Sequence, residues 1–593
     1  MLDLIVRKKE ALKGGELVAR ALAAEGVDAA FGIVDGTYLG LCAGLRKVGI
    51  RLVTPRHETS AAHMAGALAR LTGKLGVAIA SNGPGVANIL PGVACEQAEG
   101  NRVLLVTSAR REGTIDPDRG GTYQSFPQVE VTAPMTKWSC RVPSAARLGE
   151  CVRRALRMSW KGRPGVVHLD VPENVLNGDV EVEGSWAGAE PGAYRNVERL
   201  SPAEAQVERA ADLLAGAERP LIHAGSGVIH AAAYDALARV ARLLHAPVTT
   251  SWGGRAALSE VHGYAVPMIH VELVNRVRGE ADCALVLGSR LGETDWWGKP
   301  PYWAPAREQR TIQVDLDEET IGNNRPLELG IVADARVFLE RLEAALKARK
   351  GRIDVAARRA WLAELQDERA RSRARLDRHL EDRASPMTPA HVAHACRRAF
   401  PDDAVAVFDG GNSVIWGHFF HEVRAPGAVL GTFKFGMLGA GVAQALGAKA
   451  ACPEREVYCV IGDGAMGMHA PELETAVRHG LKVVFLVLCD RQWGMVKMNQ
   501  SFALRPVKTL LLGSLAPEET INADLGEIRF DALAEAMGAH GERVAGPDEL
   551  EPALRRCRAH AGPSVVHVDV DPVKHMWAPA LKCFKDMHQE PKG

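Results

Sequence analysis

Two aspartates close two short apolar runs in the last third of the chain. The first run is Val460-Ile461-Gly462-Asp463-Gly464-Ala465-Met466 and the second is Val484-Phe485-Leu486-Val487-Leu488-Cys489-Asp490. An Ala-, Glu- and Leu-rich stretch at helical spacing separates them. This pattern predicts strand, turn, helix, strand and turn, a βαβ unit with both carboxylates at the carboxyl ends of neighbouring parallel strands. Ligands bind at that edge of an open parallel sheet. Two hard oxygen donors beside a glycine turn, with the N–H groups of Gly464 and Ala465 at a helix start, suit Mg²⁺ carrying a diphosphate. Asp463 and Asp490 are the metal candidates on that reading. Gly-Asp-Gly alone is also an ordinary turn.

Two more stretches carry chemistry-bearing residues. Phe408-Asp409-Gly410-Gly411-Asn412-Ser413 follows a strand-like run, and the small residues Gly411, Asn412 and Ser413 let backbone and hydroxyl groups approach phosphate. The same residues read equally as a strand-to-helix turn with an N-cap. Glu58, in Arg56-His57-Glu58-Thr59-Ser60-Ala61-Ala62-His63-Met64-Ala65-Gly66, stands near the start of an Ala- and Gly-rich helix. The helix dipole favours a carboxylate there, so an isolated Glu would ordinarily be a helix-start charge.

The elements that must position these residues form an α/β chain. Residues 1–180 alternate helical and strand patterns, which predicts a parallel sheet with helices on both faces. A Gly-, Glu- and Ala-rich linker at 177–192 precedes a second α/β block at 195–346, and a charge-dense helical connector spans 347–386. The third block, 387–575, carries the two aspartates, and 576–593 form a tail. The fold expected is three doubly wound parallel-sheet domains. Its 593 residues suit several domains, with 47% hydrophobic and 24% charged residues. Lys+Arg and Asp+Glu are both 72, so no electrostatic case exists for nucleic acid or an anionic membrane. The 11 cysteines form no C-x-x-C pair, which removes the zinc and disulfide-framework readings. Residues 1–10 lack the order of charges and apolar core of a signal peptide, and no apolar run reaches spanning length, so a cytoplasmic protein is expected.

Taken together, these motifs resemble the thiamine diphosphate-dependent enzymes, closest in pattern to the acetolactate synthase-like members. Arg56-His57-Glu58, Ala61-Ala62-His63-Met64-Ala65, Thr72-Gly73-Lys74 and Ser81-Asn82-Gly83-Pro84-Gly85-Val86-Ala87-Asn88 resemble the family's pyrimidine-binding domain. The third block resembles its diphosphate-binding domain. The family's metal motif usually ends in Asn-Asn, and this chain reads Cys489-Asp490; Asp490 still supplies an oxygen, with the backbone carbonyl of Gln492 as a third ligand. The resemblance implies thiamine diphosphate and Mg²⁺ as cofactors. It implies that Glu58 protonates the aminopyrimidine ring, so that the exocyclic amine can remove the thiazolium C2 proton. It makes Leu438 the bulky residue that bends the cofactor, with Gly436 bonding the pyrimidine edge. Asn88 and Met495 join the implied cofactor contacts. A homodimer is the implied minimum, because Glu58 and Asp463 of relatives meet across a subunit interface; a tetramer is compatible.

The substrate side departs from those relatives. Phe31-Gly32-Ile33-Val34-Asp35-Gly36 carries a carboxylate where they have a Pro-Gly-Gly turn. Asp35 is a turn residue or acts on substrate, and Gln124 of Tyr123-Gln124 matches a glutamine lining the family's site. Lys497, Asn499 and Asp35 suggest a more polar substrate than two pyruvates. In the middle block Gly225, Gly227, Arg290, Asp315 and Asp334 sit where acetolactate synthases contact FAD, yet Val266-Pro267-Met268-Ile269-His270 replaces the flavin loop. FAD, another nucleotide and a purely structural block all remain open. The function implied is decarboxylation of a 2-oxo acid with ligation of the acyl anion to a carbonyl acceptor. A C–C lyase or decarboxylase of the oxalyl-CoA decarboxylase or 2-hydroxyacyl-CoA lyase type is the alternative, and a catalytically silent cofactor-binding protein is the second.

Overall fold

The computed structural model describes residues 9–115, 119–183, 188–581, 583 and 586. Residues 1–8 of the N-terminal stretch, 184–187 of the expected linker and most of 582–593 in the expected tail lie outside the described residues. The first block contains β1 (Lys9–Lys13), β2 (Ala29–Gly32), β3 (Arg51–Val53), β4 (Gly76–Ala80), β5 (Val103–Ala109), β6 (Trp138–Arg141), β7 (Val166–Pro172) and β8 (Asp179–Glu183). β1 and β8 form an antiparallel pair; the rest make a parallel sheet in the order β3-β2-β4-β5-β7-β6. The second block gives β9 (Pro220–Ala224), β10 (Val248–Thr250), β11 (Cys283–Leu287), β12 (Arg310–Asp315) and β13 (Leu329–Val332), parallel in the order β10-β9-β11-β12-β13. The third gives β14 (Val405–Asp409), β15 (Val429–Leu430), β16 (Val457–Gly462), β17 (Val484–Cys489), β18 (His540–Val544) and β19 (Ser564–Asp569), in the order β15-β14-β16-β17-β19-β18.

The chain is therefore α/β with three parallel sheets. Strands buried on both faces read as unbroken apolar runs, which is why Val484–Cys489 and Val457–Gly462 are buried throughout. The first and third sheets share one topology. In both, the order reverses between the first strand and the third, placing a crevice at the carboxyl ends of β2 and β4 and of β14 and β16. The loops that follow those four strands are the ones singled out above.

The chain folds into two compact units. One comprises Met1–Glu198, Phe435–Glu454 and His469–Val483; the other comprises Arg199–Lys434, Arg455–Met468 and Val484–Gly593. Two helices of the last third, Ala440–Ala451 and Glu472–His479, thus belong with the N-terminal sheet. The first lies directly on the Glu58–Thr72 helix, where a Cβ on Gly447 would meet the Met64 carbonyl oxygen at 2.5 Å and its Cα at 2.6 Å. Both partners there are backbone, so neither can swing aside. Gly447→Val is expected to destabilise this unit by about 1–3 kcal/mol, read as a lower melting temperature. The charge-dense connector contains a helix at Val355–Asp377, in which Arg358 is buried and donates to the carbonyls of Leu214, Ala215, Ala217 and Leu244.

Candidate active site

In the second unit, four loops converge around the two aspartates. Asp463 opens the Asp463–His469 helix straight off β16. Its Oδ1 accepts from the N–H of Gly464 at 2.7 Å, and its Oδ2 accepts from the N–H of Arg491 at 2.8 Å. That second bond ties the β16 loop to the β17 loop and so brings Asp463 and Asp490 together. Burial, and then the Asp490 charge beside it, push the Asp463 carboxyl up to about 6 from an ordinary 3.8. Two buried carboxylates in mutual repulsion form an arrangement that a divalent cation would relieve.

The surrounding loops pack closely on small residues. Asn412 and Ser413 open the Asn412–Phe420 helix after β14, and both are buried. The Asn412 amide donates to the Met576 carbonyl at 3.4 Å, while its Oδ1 has no partner, an orphan the fold would ordinarily satisfy. A Cβ on Gly462 would meet Ser413 Oγ at 2.9 Å, one on Gly494 would meet the Asn412 amide nitrogen at 2.9 Å, and one on Gly411 would meet the Met495 Cβ at 3.2 Å. Gly464 lies against the Trp493 ring, 2.5 Å from where its Cβ would be. Gly464 and Ala465 occupy the first turn of their helix, where N–H groups have no partner within the helix; that of Gly464 is taken by Asp463 Oδ1, and that of Ala465 suits an anion. The residues fit a cation with a diphosphate: carboxylate oxygens for the first, N–H groups and a serine hydroxyl for the second. The Gln492 side chain donates to Asp490 Oδ2 at 3.1 Å and to the Pro572 carbonyl at 2.8 Å.

In the first unit, Glu58 is the first residue of its helix and half-buried. Its Oε2 accepts from the Asn88 amide at 3.1 Å, across to the Pro84–Glu99 helix. The backbone just before it is pinned by a residue the sequence did not flag. Buried Glu472 accepts from the N–H of Arg56 and of His57, each at 3.1 Å. Asp35 caps a short 3₁₀ turn, accepting from Thr37 N at 2.8 Å and from the Thr37 hydroxyl at 2.6 Å. From Thr37 a chain runs to Ser108 at 2.7 Å, from Ser108 to the N–H of Asn82 at 2.9 Å, and from the Asn82 amide to the Gln124 carbonyl at 2.9 Å. The loops after β2, β4 and β5 are thus joined, with Asp35 and Gln124 at the two ends. Gln124 has φ +53° and an exposed side chain; Gln128, not anticipated, is buried and bonds the N–H of Gly83 and the Asp170 carboxylate, both at 2.8 Å. Gly436 has φ +69° with nothing near its missing Cβ, and Leu438 is half-buried just ahead of the Ala440–Ala451 helix.

Most of the middle-block residues assigned to a flavin are engaged within the protein. A Cβ on Gly225 would meet the Gly288 carbonyl oxygen at 2.2 Å, and one on Gly227 would meet the Gly288 Cα at 2.6 Å. The N–H groups of both glycines donate to Leu287 and Gly288 carbonyls. Asp315 accepts from Asp317 N at 3.0 Å, and Asp334 caps its helix and pairs with Arg199 at 2.8 Å. Arg290 is half-buried, and its carbonyl accepts from Asn324 at 2.7 Å. Lys497 is buried and pairs with Asp524 at 2.5 Å.

Comparison with known proteins agrees with this geometry. Residues 12–131 match the model described as "Thiamine pyrophosphate enzyme, N-terminal TPP binding domain", 207–342 its central domain, and 409–568 its C-terminal TPP binding domain. The chain is 31% identical to the acetolactate synthase large subunit of Mycobacterium tuberculosis, over 95% of this chain and 96% of the relative. It is 29% identical to the probable acetolactate synthase large subunit of Methanocaldococcus jannaschii, over 95% and 93%. It is 28% identical to the large subunit of acetolactate synthase isozyme 3 of Escherichia coli, over 92% of each. Among the described residues, no helix is long and apolar enough to cross a membrane. With the same three domains in the same order, and relatives matched almost end to end, the chain belongs to the thiamine diphosphate-dependent enzymes as an acetolactate synthase-like member.

Proposed function

We propose that this enzyme decarboxylates a 2-oxo acid such as pyruvate and ligates the acyl unit to a carbonyl acceptor, with Mg²⁺ holding the cofactor's diphosphate. The observation that carries the reading is the Asp463–Asp490 pair, buried and mutually repulsive, beside the orphaned Asn412 Oδ1. Asp463, Asp490 and the Gln492 carbonyl hold the cation; Gly411, Asn412, Ser413, Gly464 and Ala465 face the diphosphate. When bound, thiamine diphosphate supplies an electron sink for loss of CO₂. Glu58, on the end of its helix, holds a proton against the aminopyrimidine ring, and Asn88 fixes its carboxylate through Oε2. Leu438 and Met495 shape the cofactor's path, with Gly436 at the pyrimidine edge. Asp35 and Gln124 flank the substrate from the two ends of their hydrogen-bonded chain.

Glu58 belongs to one compact unit and Asp463 to the other, and the family resemblance supports a homodimer as the minimum assembly. Circular dichroism of the Mg²⁺- and thiamine diphosphate-loaded protein should change on adding pyruvate, with an acyloin or a 2-hydroxy-3-oxo acid as the ligation product found by mass spectrometry. No response to any of a panel of 2-oxo acids would remove the carboligase reading. For the central domain, the close packing of Gly225 and Gly227 on Gly288 supports a structural role. Purified protein is then expected to lack flavin absorption in the visible; a stoichiometric flavin band would overturn that.

A further inference from the structure

The Asp490 carboxylate is held by a residue that no motif singles out and that lies beyond the matched C-terminal domain, which ends at 568. His575 sits in the short Pro572–Met576 helix and is 3% exposed. A carboxylate can only accept, so His575 Nδ1 donates to Asp490 Oδ2, at 2.7 Å. The other ring nitrogen, Nε2, shares a hydrogen bond of 3.1 Å with the buried Ser413 hydroxyl. One imidazole therefore bridges a ligand of the cation and a hydroxyl on the phosphate side. Its backbone is stitched into the same place. The His575 carbonyl accepts from Trp416 Nε1 at 2.9 Å, the Pro572 carbonyl accepts from the Gln492 side chain, and the Met576 carbonyl accepts from the Asn412 amide. Asp571 caps the helix through the N–H groups of Val573 and Lys574.

The bridge answers a problem posed by the chain's own chemistry. Where the motif usually ends in a neutral amide, Asp490 adds a second buried negative charge beside Asp463. A charge in that setting needs a donor. His575 and Gln492 both donate to Oδ2, and no hydrogen bond among the described residues reaches Oδ1. Donors of this kind fix a ligand's orientation at metal sites, and their loss typically costs about 10–100-fold in metal affinity.

We propose that His575 is a positioning residue that orients Asp490 for the cation and couples cation binding to diphosphate binding through Ser413. The proposal rests on the reading of Asp463 and Asp490 as the cation site. Quenching of tryptophan fluorescence by thiamine diphosphate, followed across Mg²⁺ concentrations, tests it without using turnover; Trp416 and Trp493 are close reporters. His575→Ala is expected to raise the half-saturating Mg²⁺ concentration about 10–100-fold and to shrink the mutual enhancement of Mg²⁺ and thiamine diphosphate. His575→Asn places an amide donor near the Nδ1 position but does not reach Ser413. It should recover most of the Mg²⁺ affinity without recovering the enhancement, and it guards against a variant that fails to fold. Asp490→Ala combined with His575→Ala should be no worse than Asp490→Ala alone, because either substitution removes the same bond. Wild-type Mg²⁺ dependence in His575→Ala, or full additivity in the double variant, overturns the proposal and leaves the cation site standing. A wild-type protein whose quenching is indifferent to every divalent cation overturns the cation site itself.

Discussion

Glu58→Gln is expected to cut turnover by about 10²–10⁴-fold while leaving the melting temperature and the affinity for thiamine diphosphate nearly unchanged. The substitution is close to isosteric, and the Gln amide oxygen can still accept from Asn88 at the end of the Pro84–Glu99 helix. Nor does the start of the Glu58 helix depend on that carboxylate. Its approach is fixed by Glu472, which accepts the Arg56 and His57 N–H groups, and by the His57 ring, which accepts from Thr59 N at 3.2 Å. What the amide cannot do is hold and return a proton at the aminopyrimidine ring. The paired measurements are steady-state turnover and fluorescence quenching on one preparation. Unchanged turnover would place the essential acid elsewhere; lost binding would make Glu58 an anchor of the cofactor instead of a proton carrier.

Asp463→Asn is expected to raise the melting temperature of the metal-free protein and to abolish its stabilisation by Mg²⁺. In the folded protein the carboxyl sits at about 6, against an ordinary 3.8, so ionising it costs about 3 kcal/mol. An amide removes that cost. Against it stands one of the two backbone N–H groups, Gly464 or Arg491, which would face an NH₂ and lose its acceptor, at about 1–2 kcal/mol. The relief outweighs that loss. The same shift fixes the pH dependence. A carboxyl raised on folding stabilises fully below about pH 4, and that contribution is lost as pH rises through about 6. Metal-free protein should therefore melt lower at pH 7 than at pH 5, and saturating Mg²⁺ should erase the difference. Divalent affinity in Asp463→Asn should fall by about 10²-fold, since an anionic ligand oxygen is replaced by a weaker neutral amide oxygen. A variant that binds Mg²⁺ as tightly as the wild type would remove Asp463 from the cation site.

The three α/β blocks are legible along the chain, because strands of parallel sheets are buried on both faces and must read as unbroken apolar runs such as Val484–Cys489. Asp463, Asp490, Asn412 and Ser413 are likewise legible as residues of loops that follow such runs, at the carboxyl ends of strands, where ligands of open α/β sheets bind. What those side chains do to one another follows only from the folded chain. Burial beside Asp490 raises Asp463, and neither a composition nor a spacing contains the burial. His575 reaches Asp490 from far along the chain, and a lone histidine in a short helix carries no periodic or spacing signal. Glu472 fixes the approach to Glu58 only because its helix folds onto the N-terminal sheet. Lys497 finds its partner, Asp524, in a later loop. Patterns of apolar residues are local, set by the period of a strand or helix, and can be read along the chain. Charge, hydrogen bonding and burial at a site depend on residues that only the folded chain brings within a few ångströms.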